Sequence, residues 1–341
     1  MPTVHVATED RVLAVDHDGE RTDASDGERA DASTTRLDAG RLQCVAGPPD
    51  DPDRLYVGTF EEGCLRSTDG GESFERLAVE GGDPVTALSI SPHDPETVYV
   101  GTEPSRVYRT RDGGDSWSHL DGIADLPSES EWFFPPRPDT HHVRWIAVDP
   151  FDPDRLHVGI EAGAFVLSTD GGESWRERPE GSRRDNHSLA THPGREGLVY
   201  AAAGDGFARS TDGGETWDHP QVGLDHRYCW SVVADPGDPD AVLVSSAAGA
   251  SSAHRHETAE SHVYRTRGDE AWERLEDRGL PTGEGVVRTV FATGSEPGVV
   301  YGANNRGLFR TDDFGDAWAR VRIEWDEALE EQVPRGMVVR G

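Results

Sequence analysis

An eight-residue motif recurs along this 341-residue chain and limits the folds that the chain can adopt. The motif reads Ser-Thr-Asp-Gly-Gly-Glu-Ser-Trp where it is complete, at 168–175. Three near-copies and two degenerate copies occupy 67–74, 110–117, 210–217, 266–272 and 311–318. The copies follow one another at intervals of about 40 to 60 residues, a period typical of radial or solenoid arrays.

Each copy has the composition of a tight turn. The side chain of Asp170 can accept hydrogen bonds from backbone N–H groups one to three residues on, which closes the loop on itself. Gly171 and Gly172 supply positive φ angles, which a β-carbon resists. Trp175 is then predicted to return as a buried anchor between neighbouring sheets. These aspartates are therefore predicted to hold hairpins rather than to catalyse.

The repeats resemble the Asp-box, or BNR, repeats of sialidases, sortilin-type receptors and photosystem assembly factors. The resemblance covers roughly residues 41–323 and implies a β-propeller of the WD40/YVTN/BNR-like kind. It implies little about activity, because families with and without catalysis share the box.

The rest of each repeat has the pattern of short strands. Alternating and β-branched residues predict strands at 143–148, 156–160 and 164–168, with a turn rich in Asp and Pro between the first two. An outer strand is expected to follow the motif near Arg176. The same order gives six blades, the other five beginning at Arg41, Val85, Ser188, Cys229 and Val286.

The two ends of the chain are predicted to form a seventh blade. Residues 3–8 and 11–16 have strand patterns, 21–37 contains a degraded outer strand, and 337–340 supplies the inner strand. Joining both termini in one sheet closes the ring and removes open edges. We therefore predict an all-β fold, a single seven-bladed β-propeller domain over 1–341. A six-bladed ring with frayed ends is the alternative.

The formal net charge is −32, with 65 Asp and Glu against 33 Lys and Arg, and the sequence contains no lysine. This composition is typical of a halophilic protein, whose surface carboxylates are screened at molar salt. Nucleic-acid binding is disfavoured because no basic stripe is present.

The remaining sequence signals indicate a cytoplasmic protein. Cys44, Cys64 and Cys229 are too scattered to predict a disulfide framework or a cysteine zinc site. The N-terminus lacks the basic and apolar regions of a signal peptide, and no segment approaches 18 apolar residues. We expect no membrane partner.

Two insertions break the period, at 121–142 and 247–262. In a blade of four up-and-down strands, both loops emerge on the face opposite the motif turns, where we expect the functional site. The aromatic segment 132–134 is a partner anchor or, because prolines stiffen it, a lid over the channel. The sequence His254-Arg255-His256 is expected to be a solvated loop tip.

Aligning the inner strands on their turn prolines predicts a polar cup at the mouth of the channel. One position of this alignment is occupied by Gln43, Thr86, Arg144, His187, Trp230 and Arg288. His142, Asp185 and Tyr228 lie two residues earlier in their blades, and Glu161 and Asn304 end second strands.

A mixed set of arginine, histidine, carboxylate and aromatic groups on a concave floor is typical of a ligand site. We predict a binding propeller without a cofactor, whose partner is a small anionic or carbohydrate ligand or a protein segment. The predicted ligand-binding residues are Arg144, His142, His187, Trp230, Arg288 and Asn304.

The alternative is a glycoside hydrolase similar to sialidases, acting in the same cup. Its catalytic candidates are Glu161, Asp185 and Tyr228. The Arg-Ile-Pro-like segment that sialidases carry near the N-terminus is absent here, and no third arginine is clearly placed. No metal site is predicted, since no tight ligand spacing occurs. His142 and His187 with Glu161 are weak candidates, and His254 and His256 of the loop are a separate weak alternative.

The composition predicts a specific dependence of stability on salt. Transfer from molar to low ionic strength should lower the melting temperature, because repulsion between carboxylates is then unscreened. Thermal unfolding followed by circular dichroism over a series of NaCl concentrations measures this. A melting temperature that does not change with salt would contradict the halophilic interpretation.

Overall fold

A computed structural model of the chain describes residues 2–16, 31–37, 40–81 and 84–341, with the backbone alone for 31–36. In this part of the chain the strands form seven antiparallel sheets, each a blade of a β-propeller. The predicted all-β, seven-bladed fold is confirmed, and the six-bladed alternative is wrong. Residues 17–30, which hold part of the predicted degraded strand, lie outside the described residues.

The first three blades take most of their strands from the N-terminal third. Blade 1 contains β1 (Thr3–Ala7), β2 (Arg11–Asp16), β3 (Asp31–Arg36) and the last strand of the chain, β28 (Gly336–Arg340). Blade 2 contains β4 (Leu42–Ala46), β5 (Leu55–Thr59), β6 (Cys64–Ser67) and β7 (Glu75–Arg76). Blade 3 contains β8 (Val85–Ser91), β9 (Asp94–Thr102), β10 (Val107–Thr110) and β11 (Ser118–Leu120).

The other four blades follow in chain order. Blade 4 contains β12 (Val143–Val148), β13 (Leu156–Ile160), β14 (Phe165–Ser168) and β15 (Arg176–Glu177). Blade 5 contains β16 (Asn186–Thr191), β17 (Val199–Ala203) and β18 (Gly206–Ser210). Blade 6 contains β19 (Tyr228–Asp235), β20 (Asp238–Ala247), β21 (Glu260–Arg267), β22 (Glu273–Arg274) and the short β23 (Gly283–Glu284). Blade 7 contains β24 (Val290–Thr293), β25 (Val300–Asn304), β26 (Gly307–Thr311) and β27 (Ala319–Arg320).

Helices are few and short in the described residues. The two α-helices are α1 (Ala250–His254) and α2 (Glu327–Glu330). Three 3₁₀ turns cover Ile123–Asp125, Glu129–Glu131 and His256–Thr258. Four of these five elements lie in the two insertions, so the departures from the repeat are also the departures from all-β structure. No helix in the described ranges has the length and apolarity that a membrane crossing requires.

Antiparallel pairing of β1 with β28 closes the ring. The register pairs Thr3 with Arg340 and Ala7 with Gly336, so the first and last strands share one sheet over their whole length. Val4, Val6 and Val339 are buried in this blade. The edge of β1 that faces the axis is therefore paired with β28 and not left open, as the sequence predicted.

The motif turns are held by their aspartates in the way that the sequence suggested, with one difference. Asp170 accepts hydrogen bonds from Ser168 Oγ at 2.8 Å, Ser174 N at 2.9 Å and Ser174 Oγ at 2.5 Å. The backbone donor at 2.9 Å therefore lies four residues on, beyond the expected one to three, and the N–H of Glu173, three residues on, also acts on the carboxylate. Gly171 and Gly172 have φ angles of 70° and 88°, in the region that favours glycine. Asp69, Asp112, Asp212 and Asp313 each accept the same backbone hydrogen bond from the residue four positions on.

Each of these turns also binds the preceding blade through a backbone carbonyl. His5 of blade 1 donates from Nε2 to Gly70 O at 3.0 Å, and Tyr56 of blade 2 donates to Gly113 O at 2.8 Å. Further donors of this kind are Arg66 to Gly113, Arg109 to Gly171, Arg155 and His157 to Gly213, and Arg265 to Phe314. We call these inter-blade bonds turn latches.

Several motif aromatics pack across the same boundaries. Trp217 meets Phe165 of blade 4 edge to face, with ring centroids 4.9 Å apart. Trp272 meets Phe207 of blade 5 in the same way at 4.8 Å. Trp175 is only partly buried and donates from Nε1 to Asp121 O at 2.9 Å. The predicted burial of the motif aromatics is therefore complete in some blades and partial in others.

The latch at His5 predicts a pH dependence of stability. Burial, with the charge of Arg340, lowers the pKa of His5 from 6.5 to about 4. The unfolded chain thus takes up a proton near pH 6.5, but the folded chain does so only near pH 4. His5 contributes stability above pH 6.5, and this contribution, at most about 3 kcal/mol, is lost as the pH falls towards 4.

Urea unfolding in molar salt at pH 7 and at pH 4.5 measures this loss. His5→Gln keeps a donor for Gly70 O and an acceptor for Arg340 but does not titrate, so its stability should fall less than that of the wild type. Equal losses in the two proteins would show that His5 is not the titrating group.

Candidate functional site

A cavity of about 630 Å³ opens at one end of the central channel, and we call it the cup. Its wall combines inner-strand residues with residues of both insertions. The lining residues are Glu9, Arg41, Gln43, Phe60, Thr86, Phe134, Pro135, Pro136, Arg137, His142, Arg144, Glu161, Asp185, Tyr228, Trp230, Ala250, His254, Arg255, Arg288, Val333 and Arg335.

A β-bulge interrupts each of five inner strands at one residue. The strand registers shift at Gln43, Thr86, Arg144, His187 and Trp230, the positions that the proline alignment had superposed. A bulge re-aims a side chain and interrupts the pairing locally, and bulges are frequent beside binding sites. Arg288 occupies the corresponding place just before β24.

A second chamber of about 400 Å³ lies deeper in the channel, with largely apolar walls that include Leu88 and Ile146. Arg144, Trp230 and Arg335 line both this chamber and the cup. These three side chains therefore form a partition between the polar and the apolar parts of the channel.

Arginines dominate the charge of the cup. Six line it, against the three carboxylates of Glu9, Glu161 and Asp185, although the chain as a whole carries a net charge of −32. Arg335 is paired with Glu9 at 2.6 Å. Arg137 forms a two-pronged pair with Glu103 and lies over the rings of Phe60 and Phe134.

Trp230 supports two further guanidinium groups. The guanidinium carbon of Arg288 lies 3.9 Å from the Trp230 ring centroid, and that of Arg144 lies 4.8 Å away. Burial, with the charges of Arg335 and Arg144, lowers the pKa of Arg288 well below its usual value. Among the described residues Arg288 has no carboxylate partner, since its bonds go to Pro334 O at 2.7 Å and His254 Nδ1 at 3.0 Å.

Tyr228 and His254 form one hydrogen-bonded pair beside Arg288. Because an arginine N–H only donates, His254 Nδ1 accepts, and the neutral ring carries its hydrogen on Nε2. Burial, with the charge of Arg288, lowers the pKa of His254 to about 2, which keeps the ring neutral. His254 Nε2 lies 3.1 Å from the Tyr228 hydroxyl oxygen and donates to it. The hydroxyl hydrogen of Tyr228 is therefore free for a ligand.

The pKa of Tyr228 is raised by burial, and further by Glu161 and Asp185. The phenol consequently stays protonated at neutral pH. This arrangement does not supply the Tyr nucleophile, activated by a glutamate, that a sialidase-like reaction needs.

Glu161 is held in the cup by two basic residues, His142 and Arg144. His142 Nε2 is 3.0 Å from Glu161 Oε2, and Arg144 Nε is 3.7 Å from the same oxygen. Burial acts to raise the pKa of Glu161, but the His142 hydrogen bond and the nearby charges hold it well below its usual range. Burial raises the pKa of Asp185, whose Oδ1 accepts from Ala162 N at 2.8 Å.

Two of the predicted binding residues do not line the cup. His187 is fully buried behind it, with Nδ1 2.7 Å from Cys229 O and its ring against Trp230 and Tyr228. Asn304 is also fully buried and bonds to Pro281 O and Thr289 Oγ1. Asn304 thus supports blade 7 rather than the cup, because the side chain turns back onto its own blade.

Of the predicted solvated tip at His254-Arg255-His256, Arg255 is exposed, but His254 is not in solvent. Helix α1 carries it inward, and Ala253 O accepts from Arg288 N at 2.9 Å, which ties the helix to the mouth of blade 7. Within the aromatic segment, Trp132 is buried and donates to Ser128 Oγ, Phe133 is exposed, and Phe134 lines the cup against His142.

Arg335 and Arg137 line the cup without having been predicted from the sequence, and Phe134 was predicted only as part of the aromatic segment 132–134. Arg335 directly precedes β28 of blade 1, much as Arg288 precedes β24 of blade 7. Extending the alignment of inner strands to β28 would therefore have found Arg335. Arg137 and Phe134 lie in an insertion outside the repeat, where no periodic signal exists.

Comparisons with known proteins give the fold. No family model matches the chain, and no curated protein matches its sequence. Among solved structures, an ancestral GH74 enzyme is similar with a TM-score of 0.67 and 18% identity, over 85% of this chain and 39% of that one. A GH74 xyloglucanase from Xanthomonas campestris gives 0.64 and 17%, over 97% and 52%. YCF48 bound to D1 peptide gives 0.58 and 16%, over 88% and 92%.

At these identities the likeness shows the propeller fold alone. The chain spans about half or less of the two GH74 enzymes but nearly all of the YCF48 chain. The comparisons therefore agree with the architecture seen here, a β-propeller similar to those of GH74 enzymes and YCF48.

Proposed function

We propose that the chain is a binding propeller whose cup captures a carboxylate of a small molecule or of a peptide segment. The observation that carries this proposal is Arg288, a buried guanidinium stacked on Trp230 without a carboxylate partner among the described residues. A buried charge is costly unless it is paired, so an anionic ligand is the expected counter-charge.

The geometry around Arg288 suits a planar anion. Its Nε and Nη1 groups are held by His254 and Pro334, which fixes the guanidinium plane. Arg144 brings a second guanidinium to the same ring, and the Tyr228 hydroxyl offers a neutral donor. Arginine binds carboxylates through parallel N–H bonds, which are among the stronger hydrogen bonds in proteins.

The known structures of similar fold are compatible with this proposal. One was solved with a peptide bound, and another is a xyloglucanase by name. We further propose that the motif turns are Asp-box repeats, since five of them share one bonding pattern. A cytoplasmic, salt-adapted setting is the corresponding proposal for location, based on the charge of the chain.

Carboxylate capture is tested with probes that differ only in charge. Short peptides with a free C-terminus, together with succinate and citrate, should raise the melting temperature in molar salt, whereas C-terminally amidated peptides should not. Arg288→Gln should weaken binding at least about tenfold, because it removes charge-assisted bonds worth about 1.5–3 kcal/mol. Isothermal titration measures the affinities.

The matched control is Arg195→Gln. Arg195 is half exposed and pairs with Asp240, away from the cup, so this variant should bind like the wild type. If Arg288→Gln and the wild type bind with equal affinity, or if no carboxylate stabilises the protein, the proposal that the cup binds a carboxylate is wrong.

One observation favours glycoside hydrolysis as a second candidate. A carboxylate oxygen of Glu161 lies within 4.8 Å of one of Asp185, and the pKa values of the two groups are shifted in opposite directions. Paired carboxyl groups about 5–5.5 Å apart serve retaining glycosidases as acid and nucleophile. Asp185 would then be the acid and Glu161 the carboxylate.

This second candidate predicts that the protein releases nitrophenol from nitrophenyl glycosides. Asp185→Asn should lower the rate of release at least about 100-fold relative to the wild type. Colorimetric assay of the wild type in molar salt is sufficient. Absence of turnover over a panel of sugars would exclude hydrolysis and leave carboxylate binding unaffected.

A further inference from the structure

Three potential metal ligands meet at the wall of the cup, between blades 4 and 5. Glu161 follows β13, Asp185 precedes β16, and His187 stands at the bulge of β16. One ligand atom of each lies within 4.8 Å of the ligand atoms of the other two. Chain positions 161 and 185 belong to different blades, so the cluster exists only in the folded ring.

The ring of His187 has a fixed orientation and a fixed hydrogen. Its Nδ1 lies 2.7 Å from Cys229 O, and because a carbonyl only accepts, Nδ1 must carry the hydrogen. In the neutral ring, Nε2 is then a bare lone pair. This atom is buried and has no hydrogen-bond partner within the described part of the chain.

The lone pair of His187 Nε2 faces a carboxylate. Asp185 Oδ1 lies 3.7 Å from Nε2, too far for a hydrogen bond between them. Two acceptors facing each other in a buried site are unfavourable unless a proton or a metal ion lies between them. A proton on Nε2 would make no direct hydrogen bond to Asp185 at this distance, whereas a metal ion could bind both atoms. A metal ion about 2.1 Å from each of two ligands spans separations up to about 4.2 Å, which includes this one. The widest separation in the cluster, at most 4.8 Å, would contract by up to about 0.6 Å when a metal ion binds.

We propose that His187, Asp185 and Glu161 bind a divalent transition-metal ion of the Zn²⁺ or Mn²⁺ class. One imidazole nitrogen and two carboxylate oxygens form a donor set that suits such ions. Each ligand is also oriented by a neighbour: His187 by Cys229 O, Glu161 by His142, and Asp185 by Ala162 N. Such supporting contacts are typical of metal sites, in which they fix ligand direction.

Glu161 and Asp185 line the cup, so the open coordination positions face the cavity. The two carboxylates balance the charge of the ion, and Arg144 and Arg288 remain available to an anion. The metal site does not depend on carboxylate capture, and a captured anion would only add a ligand to it. A bound metal would occupy both carboxyl groups that hydrolysis requires.

The test uses untagged protein freed of metal with a chelator and then titrated calorimetrically with Zn²⁺ or Mn²⁺ alone. Millimolar Mg²⁺ in the buffer occupies exposed carboxylates, which favour hard cations. We expect saturable binding of one ion per chain. Co²⁺ as a probe should give the visible absorption bands of a nitrogen- and oxygen-bound ion.

Asp185→Asn and His187→Gln should each weaken this binding by more than about tenfold. Since His187 is buried, its variant is compared with the wild type by circular dichroism, and Asp185→Asn, in a partly exposed turn, remains decisive if His187→Gln does not fold. Glu129→Gln is the control, since its carboxylate lies near His141 outside the cluster. Absence of saturable binding in the wild type, or unchanged affinity in Asp185→Asn, would overturn the proposal.

Discussion

The structure depends on the bond between one blade and the turn of the next. In five of the motifs the aspartate fixes its own hairpin. The hairpin then presents a backbone carbonyl, from a glycine in four turns and from Phe314 in the fifth, to an arginine, tyrosine or histidine of the preceding blade. Because both partners lie on regular strands and turns, the same bond recurs around most of the ring. The degenerate motif at 266–272 is the exception, where Arg209 instead reaches Asp269 Oδ1 at 3.3 Å. Identical turns thus serve two purposes, local closure and alignment of neighbouring sheets.

The ring could be predicted because its signals are periodic. Motif copies set the blade count, alternating residues set the strands, and the patterns at both ends placed the closing sheet. The turn latches could not be predicted, because every residue has a backbone carbonyl and the residue type does not show which one accepts a hydrogen bond. The sequence also did not show which backbone N–H donates to the motif aspartate. The same motif residues are compatible with a donor three or four positions on.

The cup was predictable only where it follows the repeat. Arg144, Trp230 and Arg288 fall on the alignment of inner strands, and a β-bulge lies at that position in the strands of the first two. Asn304 also fits the pattern but turns back onto its own blade. His254 and Phe134 come from insertions whose path depends on tertiary contacts. Because the sequence around His254 is polar and rich in small residues, its composition alone predicted a solvent-exposed position. The orphan nitrogen of His187 is a property of three-dimensional geometry, and no sequence pattern encodes it.

A cationic cavity inside a chain of net charge −32 has a consequence for kinetics. At low ionic strength an approaching anion is repelled by the outer surface before it can sense the arginines within. At molar salt the Debye length shrinks to about 3 Å, and this outer barrier is largely removed, whereas contacts inside the desolvated cavity are screened much less. Concentrated salt would therefore raise the association rate of an anion while changing its affinity for the cavity much less. Binding to such a cavity would then reach equilibrium fastest at high salt.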